Sequence, residues 1–115
     1  MPVQSVEEYL SNIPEPGRTT LTTLIDHLLG LDSRFEVTLA WNVPQIRMGK
    51  QYVFGMSAAQ KHLTLAPWGS RALDELRPSM TNYVVNKGTF RVPLDWDIDE
   101  SLIASMVAER LAELD

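Results

Sequence analysis

The sequence predicts an α+β domain, an antiparallel β-sheet of about five strands packed by N- and C-terminal helices. Three observations carry that prediction. Apolar residues recur at three- and four-residue spacing near both ends of the chain, they alternate at every second position through its middle, and proline or glycine stands at most of the changes between the two patterns. Helices flanking a run of strands describe an α+β domain whose helices pack an antiparallel sheet. At 115 residues, 44% hydrophobic and with three tryptophans, the chain reads as one domain, 1–115, that can bury a core without metal or disulfide help.

The elements follow in order. Ser5-Val6-Glu7-Glu8 has the spacing of a capping box, so a short helix is expected, ending near Asn12. Pro14 and Pro16 interrupt it, because proline fits the first turn of a helix but not its interior. From Arg18, Leu21, Leu24, Ile25, Leu28 and Leu29 lay an apolar stripe along a second, longer helix, with Gly30 as its stop. FEVTLAW, residues 35–41, then alternates Phe35, Val37, Leu39 and Trp41 against Glu36, Thr38 and Ala40, as a strand with one buried face requires. Asn42-Val43-Pro44 is expected to break it, and residues 45–48 read as a short edge strand. Gly49-Lys50 is a turn, and QYVFGMS and KHLTLAP are two further strands. Residues 69–86 return to helical spacing through Leu73, Leu76, Met80, Tyr83 and Val84, with Pro78 dividing them. Residues 88–93 make the last strand. Asp99 caps a final helix whose stripe is Leu102, Ile103, Met106, Val107, Leu111 and Leu114, with Ile98 and Ile103 as its hydrophobic staple.

The formal charge is −5, which argues against nucleic acid as a partner, since that affinity rests on lysine and arginine against phosphate. The charge is unevenly spread. Residues 1–36 are net −4 and residues 95–115 net −6, whereas the seven cations Arg47, Lys50, Lys61, Arg71, Arg77, Lys87 and Arg91 face only Asp74 and Glu75. A basic middle lies between acidic ends. The chain has no cysteine, which excludes thiolate chemistry and fits a reducing compartment. It shows neither a signal-like start nor a run of about 18 apolar residues, so a cytoplasmic protein away from membranes is expected. Neither a glycine-rich phosphate loop nor an HExxH zinc signature is present. The expectation is a non-enzymatic binding protein.

VEEYLSNIPEPGRTTLTTL, the W-N-V-P of residues 41–44, K-H-L-T-L-A-P, and the Y-V-V-N-K-G-T-F-R-V-P-L of residues 83–94 together resemble, in this order, the bacterial YdhG-like domain. The resemblance spans nearly the whole chain. It implies an α+β fold compared with that of frataxin, in a family largely of unknown function of which some members are named iron chaperones. Where that pattern has glycine after the tryptophan, this chain has Asn42. A frataxin-like protein is expected to hold iron through exposed carboxylates on its first helix, because hard cations prefer oxygen donors, and the resemblance places Glu7, Glu8 and Glu15 in that role. Asp95, Asp97, Asp99 and Glu100 are denser, but acids at a helix start already serve capping and the helix dipole.

Asn86-Lys87-Gly88-Thr89 admits two readings. One is a tight turn into the last strand, with asparagine and glycine supplying left-handed backbone. The other places Lys87, Thr89 and Arg91 with Lys61, His62, Tyr83 and Trp41 around one pocket at the sheet edge that takes a small anionic ligand, with aromatic walls. A protein–protein module using the acidic helices is a third function class.

Overall fold

Ser5 starts the first helix as its neighbours require. In the computed structural model, which describes residues 5–69 and 71–114, the Glu8 amide donates to Ser5 Oγ at 3.1 Å and α1 runs Val6–Ser11 before stopping at Asn12. Glu15 opens the next helix: its carboxylate accepts from the Thr19 amide at 2.8 Å and from the Thr19 hydroxyl at 2.9 Å. Helix α2, Gly17–Leu29, buries Leu21, Leu24, Ile25 and Leu28, the stripe its spacing dictates.

Strands β1 (Phe35–Ala40), β2 (Val43–Met48), β3 (Gln51–Ala58) and β4 (His62–Pro67) form an antiparallel meander. Helix α3 (Arg71–Leu76) and a 3-10 turn (Arg77–Ser79) lead to β5 (Val84–Val85), β6 (Phe90–Pro93) and α4 (Glu100–Leu114). The sheet has six strands in the order β1-β2-β3-β4-β6-β5, with every neighbouring pair antiparallel. Asp99 caps α4 as expected, accepting from the Leu102 amide at 3.1 Å.

Three expectations are corrected. The strand expected over residues 45–48 at an edge begins at Val43 and lies inside the sheet, between β1 and β3. Pro44 is tolerated because β2 meets β3 only from Gln45 onward. Across the two-residue hairpin turn Pro44 faces Leu39 in the pair next to the turn-closing one, where the missing amide would point away from β1. The helix expected over residues 69–86 stops at Leu76, since Pro78 removes a donor. Val84 and Val85 pair instead with Arg91 and Phe90, giving a sixth strand. Finally, neither Asn86 nor Gly88 uses left-handed backbone: the turn closes with the Asn86 amide donating to the Thr89 carbonyl at 2.8 Å, and positive φ belongs to Trp41, Asn42, Gly49 and Gly69 among the described residues.

The core lies between one face of the sheet and the helices. Ile46, Phe54, Met56, Leu63, Leu65, Phe90 and Val92 meet Leu21, Leu24, Leu28, Leu73, Ile103 and Met106 in one continuous buried cluster. Each such side chain contributes roughly 1.5–3 kcal/mol on leaving water. Two hydrogen bonds fasten helices to distant segments: the Thr20 hydroxyl donates to the Leu94 carbonyl at 2.7 Å, and the Ala58 amide to the Tyr9 hydroxyl at 3.0 Å. Among the described residues no helix is long and apolar enough to cross a membrane.

Candidate functional site

All the buried strand residues just named point toward the helices, so the residues between them form a second, helix-free face. In β4, Leu63, Leu65 and Pro67 are buried while His62, Thr64 and Ala66 are half-buried on that other face. Register carries the face across the sheet: Thr64 lies opposite Ser57 and Arg91, Ala66 opposite Gly55, Gly55 opposite Gln45, and Gln45 opposite Thr38. The floor is therefore built of small and polar residues. Glu36 is the only acid in the six strands, and it is paired in register with Arg47 at 2.8 Å. The hydrogen bond to that carboxylate pushes the Arg47 guanidinium further toward its protonated form. Arg91 stands on the same face without a strand acid opposite, since its register partners are Thr64 and Val84.

Three aromatic rings gather over this face. Tyr52 and Trp68 stack with centroids 5.2 Å apart and planes 26° from parallel. Trp41 meets Tyr52 at 5.1 Å and Trp68 at 5.6 Å, and is 66% exposed. The local sequence explains each placement. Trp41 and Asn42 occupy the two central positions of the β1–β2 turn with φ of 54° and 64°, the left-handed pair that such a hairpin needs. Asparagine accepts this conformation readily, which accounts for Asn42 where the resembled pattern has glycine; for a bulky residue such as Trp41 it costs about 1–2 kcal/mol.

Tyr52 reaches the helix-free face through an irregularity. The β2–β3 register shifts between Ile46 and Arg47, so Arg47 faces Tyr52 and Val53 is passed over. At this irregularity Arg110 Nε donates to the Tyr52 carbonyl at 2.9 Å, and the Trp68 amide donates to the Val53 carbonyl at 3.1 Å, extending the β3–β4 ladder one step beyond Pro67. Trp68 is held at its other end as well. Its indole Nε1 donates to Gln45 Oε1 at 2.8 Å, and Gln45 is 5% exposed.

The expected anion pocket is dispersed by these placements. Trp41 belongs to the ring cluster. His62 and Arg91 line a shallow cavity of about 310 Å³ with Asn82, Val84, Val92 and Pro93. Lys61 is exposed in the turn before β4, Lys87 is exposed in the β5–β6 turn, and Thr89 is half-buried beside it. Tyr83 stands apart, its ring edge-on to buried Phe90 at 5.7 Å and to Trp96 at 6.1 Å. The residues that sequence reasoning missed are Tyr52, Trp68, Gln45 and Gly55. Strict alternation from Phe54 assigns Tyr52 to the core, and only the register shift turns it outward.

The three acids proposed for iron do not form a ligand set. Glu15 is engaged with Thr19, whose amide and hydroxyl hold its carboxyl below the usual value. Glu7 lines a shallow cavity of about 480 Å³ between α1 and β1, where Ser5, Val6, Val37, Thr38 and Leu39 supply no second acid. Among the described residues no group of three or more His, Asp or Glu side chains is placed to hold a metal ion.

No family model matches the chain, and no curated protein matches it significantly. Among solved structures, the chain is similar to the 1.75 Å crystal structure of a DUF1801-family protein, YdhG, from Bacillus subtilis, with a TM-score of 0.84 and 20% identity over 93% of this chain and 88% of that one. At that identity the likeness concerns the fold and carries no frataxin or iron property with it. The six-stranded antiparallel sheet with its covering helices is thus the fold of the YdhG protein.

Proposed function

We propose that the chain is a non-enzymatic binding protein of the YdhG type that takes a small anionic ligand on the helix-free face of its sheet. The observation that carries this reading is the ring cluster of Trp41, Tyr52 and Trp68 on a face whose single strand acid is already paired with Arg47. A ring cluster with one exposed ring, Trp41, on a face that also carries an unopposed cation supplies apolar area, exclusion of water and attraction for negative charge at once. Arg91 on the face, and Lys50, Lys61 and Lys87 in the turns around it, provide that attraction.

The iron-chaperone reading has less support, because a carrier needs several free carboxylates on one surface and Glu15 is already engaged by the Thr19 amide and hydroxyl. The two readings separate in one amide-resolved NMR titration. A panel of small carboxylates and phosphates is expected to shift the Arg47, Thr64 and Arg91 amides and the Trp68 indole signal, and ferrous iron to leave Glu7 and Glu8 sharp. Broadening of the α1 signals by iron, with no response of the sheet face to any anion, overturns the proposal.

A further inference from the structure

The opening beside Trp68 bears on which kind of anion the protein takes. A cavity of about 280 Å³ lies between Trp68 and the β5–β6 turn, lined by Ala66, Pro67, Trp68, Gly69 and Gly88. None of these residues is ionisable, and all but one of their side chains are small or absent. The exception is the indole, fixed on one side by stacking on Tyr52 and at its nitrogen by buried Gln45. A wall that cannot turn away is preorganised for contact.

Gly88 is the second observation. Its φ is not in the left-handed region, and a Cβ built on it would meet nothing within 4 Å, so neither the turn nor the packing calls for glycine there. What its missing side chain leaves is open space. Two cations stand at the same turn: Lys87 is exposed next to Gly88, and Arg77 Nη2 donates to the Asn86 carbonyl at 3.4 Å. Glu113, whose carboxylate lies against Gly69, does not line the cavity.

We infer that this slot takes a planar aromatic ring bearing one anionic group, the ring lying against Trp68 and the charge reaching the Lys87 turn. The inference rests on the anion-binding reading above and narrows it to a ligand class. The volume falls just under the roughly 300–1,000 Å³ of sites for drug-sized ligands. It therefore suits one ring system with its carboxylate or phosphate left outside. Aromatic pairs adopt offset-stacked or edge-on geometry, and Trp68 is the ring that lines the cavity.

Isothermal titration calorimetry with four probes tests this. AMP and indole-3-acetate carry a ring and a charge, one as phosphate and the other as carboxylate, whereas inorganic phosphate and acetate carry charge alone. At least one ringed probe is expected to bind more tightly than its ring-free counterpart, by about tenfold or more. Gly88→Leu, which adds a side chain at the lining where a Cβ meets nothing within 4 Å and leaves the backbone unstrained, is expected to abolish that advantage while circular dichroism and the melting temperature stay unchanged. Lys87→Met, which leaves the backbone of the turn alone, is expected to weaken the same probe severalfold. Ring-free probes binding as tightly as ringed ones, or a ringed probe binding Gly88→Leu undiminished, overturns the slot and leaves the anion-binding face standing. Binding by none of the four removes both.

Discussion

Gly55 lies opposite Gln45 across the β2–β3 pair, and the Gln45 amide occupies the space that the missing Cβ leaves: a Cβ at Gly55 would stand 2.5 Å from Gln45 Oε1. Gln45 in turn accepts from the Trp68 indole, so a glycine inside a central strand sets the position of a ring on the sheet surface.

Gly55→Ala is therefore expected to cost about 1–3 kcal/mol through overpacking and to move the Trp68 indole NH resonance. Denaturant unfolding and a two-dimensional NMR spectrum check both. An unmoved indole signal in a destabilised variant would show that Gly55 supports packing and leaves Trp68 unaffected.

Gln45→Ala removes the acceptor for the Trp68 indole and opens the space that Gly55 faces. Its own cost is expected at about 1–3 kcal/mol, for a lost hydrogen bond to a side chain buried at 5% exposure. In that background Gly55→Ala is expected to be nearly harmless, a coupling of about 0.5–3 kcal/mol in a double-mutant cycle. Strict additivity would contradict the contact.

Trp41→Asn tests whether the exposed ring serves stability or binding. The substitution relieves left-handed strain of about 1–2 kcal/mol and forfeits two ring contacts worth about 0.5–1.5 kcal/mol each, so net stability is expected to change by no more than about 2 kcal/mol. Binding of small anions at the ring cluster should weaken. A loss of several kcal/mol on unfolding would make Trp41 a structural residue instead.

Asp32 gives a pH dependence of known sign. Hydrogen bonds from the Arg34 side chain at 2.7 and 3.0 Å, and then from its amide at 2.9 Å, lower the Asp32 carboxyl from 3.8 to about 2. The folded state thus holds its proton more weakly than the unfolded chain does. The contribution is complete above the ordinary value and is lost as pH falls from about 4 toward 2. Asp32→Asn is expected to flatten the fall in stability across that window, measured by urea midpoints at stepped pH. Identical pH profiles for the two proteins would refute the assignment.

Leu28→Ala removes a side chain that is wholly buried where α2 meets the sheet. The expected loss is about 2–5 kcal/mol, with fold and ring cluster retained. Thermal or urea unfolding measures it; a loss below 1 kcal/mol would mean that the helix is held elsewhere.

How far these relationships were legible in the sequence depends on their range. Ser5, Asp99 and the leucine stripe of α2 act through neighbours three or four positions away, and local spacing reveals them. The alternation of Leu63, Leu65 and Pro67 shows in the same way that β4 has one buried face. Periodicity and capping chemistry thus determined the helix–strand order, the core-facing leucines and the basic middle of the chain. Tertiary structure decided the rest: β2 lies inside the sheet, Val84 and Val85 pair with β6, and Tyr52 turns outward at a one-residue shift in register. A side chain's face depends on which strand lies beside it and in what register. Those are contacts between residues distant in the chain, and no window of local sequence contains them. The meeting of Trp41, Tyr52 and Trp68 over Gln45 is a consequence of that pairing, which is why it became visible only in three dimensions.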